Sequence, residues 1–292
     1  MMNDDDSAKA ARTHLQSPIS NPKSPIPLLW ASGYSYNSDM PTRFLTALPV
    51  HNERRHVTPV LDEVLRYSPE VLVVDDGSTD GTSEVLAGRG DIRLIAHEGN
   101  LGYGAALRSA FEYAVRHEYD VLVTVDCDGQ HEPRRIPRFV DACREVDIVS
   151  GSRYLRRFPG DSRAPEQRRL INRFLTREIN RRLGLQLTDA FCGFKAYRVE
   201  ALAWLEVTEA GYAMPLELWA QAAALGLRII ELPVPLIYLE EQRSFGGALD
   251  NARTRLAVYR QVLDRAIAET RRRAELGRLA PRGLPNLSSC RP

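Results

Sequence analysis

The sequence has little cysteine, no long apolar run and no excess of either charge, and each shortage narrows what it can be. Its four cysteines, Cys127, Cys143, Cys192 and Cys290, stand far apart, with no Cys-x-x-Cys pair. That spacing fits reduced thiols and argues against a disulfide frame or a zinc site. No apolar stretch approaches the ~20 residues that a membrane-spanning helix requires. The first residues are acidic and lack the apolar centre of a secretory signal. A cytoplasmic protein without a transmembrane helix is therefore expected, with peripheral contact at the membrane face left open. The 39 basic and 38 acidic residues give a net charge of +1, so bulk charge offers no argument for a nucleic-acid partner. No internal repeat is visible, and nothing in the pattern sets an oligomeric state.

What is present is ordinary in amount and ordered in arrangement. The 292 residues are 43% hydrophobic and 26% charged, enough for one large α/β domain or two small ones. Residues 1–42 carry Pro18, Pro22, Pro25 and Pro27 among many Ser and Asn and read as a disordered leader, with Met40 a second candidate start. Over residues 43–250, apolar runs at 44–50, 71–74, 92–96, 121–125, 148–150 and 228–236 predict strands, the last an edge strand because of Pro233 and Pro235. A loop and strand are expected over 189–198. Helical spacing predicts helices over 54–67, from Tyr103 to about Val115, over 134–146, within 153–182 and over 214–225. Residues 251–292 read as the main part of an amphipathic helix spanning about 247–275, followed by a flexible tail. The β-α alternation predicts a mostly parallel sheet covered on both faces.

The chemistry concentrates at Val121-Leu-Val-Thr-Val-Asp-Cys-Asp-Gly-Gln-His131, where an apolar run stops at two aspartates one residue apart. Beyond a strand end, residues i and i+2 point the same way, so Asp126 and Asp128 can face one cation in the crevice outside the sheet. Held that close they repel, and Mg²⁺ or Mn²⁺ with oxygen ligands would relieve the repulsion, with Gln130 adding a neutral oxygen. An acidic turn hinged at Gly129 is the plainer alternative. Asp76, at the end of the second strand, faces the same crevice by the same rule. Gly99, Gly102 and Gly104 permit close backbone approach ahead of a helix. Leu107 stands where a dinucleotide fingerprint would have its third glycine, which disfavours a dehydrogenase. From Arg153 to Arg182, ten arginines stand against three acids, with Leu170, Phe174, Leu175, Ile179 and Leu183 forming an apolar stripe among them.

Four segments occur in a telling order: Pro49-Val-His-Asn-Glu53, Val74-Asp-Asp-Gly-Ser-Thr-Asp-Gly-Thr82, Gly99-Asn-Leu-Gly-Tyr-Gly104 and Asp126-Cys-Asp-Gly-Gln-His131. With Gly151-Ser-Arg-Tyr154 and Asp189-Ala-Phe-Cys-Gly-Phe-Lys-Ala-Tyr-Arg198, this set closely resembles glycosyltransferase family 2, the inverting GT-A transferases, and within it the polyprenyl- and dolichyl-phosphate sugar synthases. The resemblance spans residues 43–250. It implies a GT-A fold: an α/β architecture with a Rossmann-like nucleotide-binding half and an acceptor half. It also implies a metal held by Asp126, Asp128 and Gln130, and a nucleotide sugar, GDP-mannose or UDP-glucose, contacted by Pro49, His51, Glu53, Asp76, Asp126 and Cys127. His51 stands where the family usually has an aromatic residue.

On the acceptor side, the resemblance gives Arg153 and Arg168 to a polyprenyl phosphate. Asp128, Asp189 and Arg243 are the expected catalytic residues, Asp189 as the base should the acceptor be an alcohol, with Glu217 a weaker candidate. The family's Arg-x-x-Gly-x-Ser-Lys motif keeps Arg243 and Gly246, while Ala248 and Leu249 replace serine and lysine. Without transmembrane helices, lipid docking would rely on the basic amphipathic stretches at 165–183 and 247–275. The competing readings are the same chemistry on a soluble glycan or small-molecule acceptor, a non-catalytic nucleotide-sugar-binding scaffold, and a phosphoacceptor module, for which Lys195 lies too far along the chain.

Overall fold

The computed structural model describes residues 42–239 and 247–279. The expected leader, apart from Thr42, and Arg243 with Gly246 lie outside the described residues. The strands are β1 (Phe44–Val50), β2 (Val71–Asp75), β3 (Arg93–Ala96), β4 (Val121–Thr124), β5 (Ile148–Ser152), β6 (Lys195–Arg198) and β7 (Ile229–Pro233). They form one sheet in the order β3-β2-β1-β4-β6-β5-β7. The helices are α1 (Val57–Val64), α2 (Thr82–Ala87), α3 (Tyr103–Arg116), α4 (Ile136–Ala142), α5 (Glu166–Leu183), α6 (Val199–Leu202), α7 (Met214–Ala224) and α8 (Ala252–Glu275). The expected parallel sheet with β7 at its edge is present, and β6 alone runs against both its neighbours.

Alternation along the strands builds two cores. Leu45, Ala47, Leu72, Val74 and Leu122 face α3, α5, α7 and α8, while Leu48, Val50, Val71, Val73 and Val123 face α1 and α4. Each of these valines and leucines taken fully out of water contributes roughly 1.5–3 kcal/mol. Three helices differ from expectation at their ends. The stretch 54–67 is helical only over α1, because Glu53 closes its entry by accepting the His56 and Val57 N–H groups on its carbonyl. The stretch 134–146 divides into a 3₁₀ turn (Pro133–Arg135) and α4. The stretch 247–275 likewise divides at Asn251, whose side chain caps α8 by accepting from the Arg253 and Thr254 N–H groups at 3.0 and 3.1 Å.

Strand order sets where a ligand can sit. The chain moves from β1 to β2 and β3, then returns to lay β4 on the other side of β1. A crevice opens at that reversal, beyond the strand ends. Because β6 is antiparallel, its first residue rather than its last reaches that edge, where Lys195 pairs with Thr124 and Ser150. The segment 189–194 is thereby delivered to the same place as the ends of β4 and β5.

The glycine run resolves as packing against a loop, not against a strand. Gly102 has φ +102°, and the Gly104 N–H donates to the Ala210 carbonyl at 2.7 Å. A Cβ on Gly104 would lie 2.2 Å from the Glu209 carbonyl oxygen. Gly104→Ala should therefore destabilise the protein by about 1–3 kcal/mol, read as a lower urea midpoint at unchanged m value. A neutral result would mean that α3 and the 209–210 loop are not in contact.

Candidate active site

A cleft of about 830 Å³ lies at the strand-order reversal. At and beyond the ends of β1 and β2 it is lined by Pro49, His51, Glu53 and Asp76, and beyond β4 by Asp126, Cys127, Asp128 and Gln130. Arg153, which follows β5, and Arg168 from α5 line its other side. These expected residues thus share one cavity. Asp189 does not line it. A smaller hollow of about 530 Å³ beside α2 and β3 shares His51 and Asn100 with the cleft.

The nucleotide side is held by hydrogen bonds among its own loops. Asp76, 3% exposed, accepts from the Leu101 and Gly102 N–H groups at 3.0 and 2.7 Å and lies 2.6 Å from His97 Nδ1. His51 Nδ1 is 2.9 Å from the Asp76 carbonyl, which can only accept, so this nitrogen donates. His51 Nε2 therefore accepts, from Asn52 Nδ2 at 3.1 Å and Asn100 Nδ2 at 2.9 Å. The Asn52 amide is oriented by the Thr79 N–H, which donates to its Oδ1 at 2.7 Å. The imidazole thereby ties the first-strand loop to the glycine loop. Glu53 is buried at the cleft wall, its carboxylate 3.1 Å from His56 Nδ1.

At the end of β4, Tyr103 donates its hydroxyl to Asp126 at 3.0 Å, and His131 Nε2 lies 3.4 Å from the same carboxylate. Burial, with the Asp126 charge next, holds the Tyr103 hydroxyl well above its ordinary value, so it remains a donor. A Cβ on Gly193 would fall 1.9 Å from Asp126 Oδ2, so any side chain there would displace this carboxylate. Asp128 accepts from the Gln130 N–H at 3.0 Å. The opposite wall is organised by Asp189, which is 0% exposed. Its carboxylate receives Arg153 Nε at 2.6 Å, Arg153 Nη2 at 3.0 Å and Asn172 Nδ2 at 2.7 Å. Burial pushes this carboxyl up, but the charge and hydrogen bonds of Arg153 outweigh it and take it down to about 2. A buried, strongly acidic group of this kind suits fixing Arg153, and it departs from the expected base, which would need access to an acceptor hydroxyl. Glu217 likewise serves the 208–209 loop, accepting from the Thr208 and Glu209 N–H groups at 2.8 and 2.6 Å. Lys195 is buried at the start of β6, where it donates to the Cys192 carbonyl.

Residues 46–204 match Glycosyl transferase family 2. The chain belongs to that family. It is 33% identical over 223 residues to an undecaprenyl-phosphate mannosyltransferase of Micrococcus luteus, covering 72% of this chain and 90% of that one. It is 32% identical over 205 residues to a polyprenol monophosphomannose synthase of Mycolicibacterium smegmatis, covering 66% and 76%. A dolichyl-phosphate hexose transferase of Haloferax volcanii is 32% identical over 189 residues, covering 63% and 78%. The crystal structure of mannosyl-3-phosphoglycerate synthase from Rubrobacter xylanophilus aligns with TM-score 0.57 at 20% identity, over 84% of this chain and 78% of that one. The protein is a glycosyltransferase with the GT-A α/β fold.

Several residues of this glycosyltransferase's cleft escape motif reading. Tyr212 stacks on Tyr103 with ring centroids 5.6 Å apart, and both line the cleft. Asn172 is four residues after Arg168 on α5 and four before Thr176, whose hydroxyl it receives at 2.9 Å; that polar i, i+4 row was a usable signal. Arg255 and Tyr259 of α8 also line the cleft, so the boundary drawn at residue 250 falls inside its wall. Glu231 of β7, buried behind Asp189, receives the Thr188 and Asp189 N–H groups at 2.8 and 2.9 Å. Burial is the larger influence on it and raises its carboxyl to about 7, against an ordinary 4.5. The native state therefore binds this proton more tightly than the unfolded chain, and the contribution to stability is lost as pH rises through that interval. Urea unfolding across pH 4.5 to 7 should show stability falling with pH, and Glu231→Gln should flatten that fall. A slope unchanged by the substitution would mean that Glu231 titrates normally.

Proposed function

We propose that this glycosyltransferase moves a hexose, mannose before glucose, from a nucleotide sugar to the phosphate of a polyprenyl phosphate, with inversion at the anomeric carbon. The observation that carries the reading is the joining, in one cleft, of the Asp126–Asp128 strand end to the arginine-bearing wall of β5 and α5. Carboxylates alone would repel both substrates, and guanidiniums alone would not distinguish a leaving diphosphate from an attacking phosphate. The names of the relatives, which act on undecaprenyl, polyprenol or dolichyl phosphates, support the lipid acceptor.

In this reading an acceptor phosphate oxygen attacks the anomeric carbon from the side opposite the nucleoside diphosphate. The new C–O bond forms as the old one breaks, and the diphosphate leaves with the electron pair. A phosphate monoester is already ionised near neutral pH, so no strong base is required. The burial of Asp189 is consistent with that economy. Arg153, gripped at Nε and Nη2, presents a fixed guanidinium edge to the acceptor. Tyr103 orients Asp126, and Tyr103 stacked on Tyr212 walls the sugar space.

The donor set suits a hard divalent cation. Among the described residues no three His, Cys, Asp or Glu side chains converge, and a shell of two carboxylates with the rest left to water and phosphate oxygens is how Mg²⁺ is commonly held. Asp126, Asp128 and Gln130 would hold Mg²⁺ or Mn²⁺, which when bound supplies positive charge to the departing diphosphate.

The outer face of α5 supports contact with an anionic membrane. Leu170 and Phe174 are 43% and 46% exposed and one helical turn apart, amid exposed Arg169, Arg173 and Arg177. The apolar stripe of α8 is instead buried against the protein, with Tyr259, Val262, Leu263, Ala266 and Ile267 all in the core, so it offers lipid no comparable face. The test is a panel of nucleotide sugars with Mn²⁺ and a polyprenyl phosphate, offered either short and soluble or in anionic vesicles, with product read by mass. The expected product is a hexosyl phosphate lipid, reduced at least ~10²-fold in Asp128→Asn. Arg169→Glu with Arg173→Glu should slow transfer in vesicles and spare the soluble acceptor. Transfer to a prenol or a glycan but to no prenyl phosphate would contradict the reading.

A further inference from the structure

Arg153 is an orienting group more than a source of charge, because its guanidinium is matched by a fully buried, ionised Asp189. A phosphate monoester carries about −1.5 to −2 near neutral pH. The remaining positive charge on that side of the cleft has to come from elsewhere. Arg168 reaches the cleft from α5 and donates to the Tyr238 hydroxyl at 3.0 Å, which sets its position. Arg255 reaches it from α8, 4% exposed, with Nη1 donating to the Leu249 carbonyl at 2.7 Å. On α8 this arginine sits in the buried row of Tyr259, Val262, Leu263 and Ile267, not with the exposed Arg253, Arg260 and Arg265.

Resting on the reading above and extending it, we propose that Arg255 and Arg168 form a two-guanidinium seat for the acceptor's phosphate, with Arg255 supplying the second of the two charges. A cation directed into a cleft from an otherwise apolar row incurs a desolvation cost that a surface arginine avoids. Burial lowers the affinity of Arg255 for its proton and the charge of Arg168 adds to that effect, while Tyr259 and Asp250 oppose it in part. Both arginines line one cleft, and guanidinium geometry suits phosphate oxygens, so an anion held by the two would share its charge with each. The ligand class is a phosphate monoester on an apolar tail: Leu249, Ile171 and Tyr259 line the same cleft. The donor's diphosphate is the other available phosphate, and it is assigned instead to the end of β4.

The test uses the intact chain and three probes: a short prenyl phosphate, the matching prenol, and a nucleoside diphosphate with Mn²⁺. Loss of a charged hydrogen-bonding partner predicts that Arg255→Gln weakens the prenyl phosphate about 10- to 100-fold. Prenol and nucleoside diphosphate affinities should stay within about twofold, since neither gains from the seat. Arg255→Lys should lose less, and Leu249→Lys added to Arg255→Gln should recover part of the loss, because residue 249 lines the cleft where Arg255 is held. Thermal melts and the unchanged diphosphate affinity certify folding, and Arg255→Lys answers the question if the glutamine variant does not fold. Equal affinity for phosphate in variant and wild type, or a loss confined to the nucleoside diphosphate, overturns the proposal. So does a wild type that binds prenyl phosphate no better than prenol. If the wild type shows the predicted phosphate preference but transfers no sugar to it, the proposed function fails and the seat stands.

Discussion

Two carboxylates, Asp126 and Asp128, stand one residue apart just beyond the end of the buried strand β4, and the proposed chemistry of the cleft depends on them. Asp126 and Asp128 occupy this position because β4 returns to lie beside β1, which opens the sheet at the strand-order reversal. The neighbours of Asp126 moderate its charge through the Tyr103 hydroxyl, with His131 close by, and Gly193 leaves it room. In the proposed reading, a divalent cation would join these carboxylates to the donor's diphosphate.

The opposite wall solves the converse problem. A guanidinium that must keep one orientation is anchored by a carboxylate with no solvent of its own, and that carboxylate is braced in turn from β7. The series Glu231, Thr188 and Asp189, then Arg153, runs from the sheet edge to the cleft through hydrogen bonds of 2.6–3.0 Å. Such a brace gives precision at the expense of net charge, since the ionised Asp189 cancels much of what the arginine brings. In the proposed reading, positive charge for the acceptor comes from helices that approach from outside the sheet, α5 and α8. The antiparallel β6 makes the brace possible by carrying the start of its strand, and with it the 189–194 segment, to the edge where the other strands end.

Much of this was legible because strand ends announce themselves. The runs 44–50 and 121–125 stop at polar residues, and those stops are where the cleft lies. Other features were hidden for physical reasons. The β6 strand was expected within 189–198, but its four residues and buried lysine carried no sign that it runs antiparallel to both neighbours. Asp189 was expected as a base only for an alcohol acceptor, and its complete burial could not be read because sequence spacing carries no information about burial. Glu231 broke an apolar strand and Arg255 broke an apolar helical row, and each breach marked a polar group turned inward. Arg255 was overlooked because α8 also carries arginines on its exposed face, which made a basic residue there look like ordinary surface.

Crystals of the intact chain grown with a nucleoside diphosphate and Mn²⁺, measured at the manganese absorption edge, test the central claim most directly. The account predicts one anomalous peak bridging the diphosphate and the carboxylates of Asp126 and Asp128, with the nucleoside extending toward His51 and Asp76. A peak remote from those carboxylates, or a diphosphate seated in the smaller hollow beside α2 with the main cleft bypassed, would contradict it.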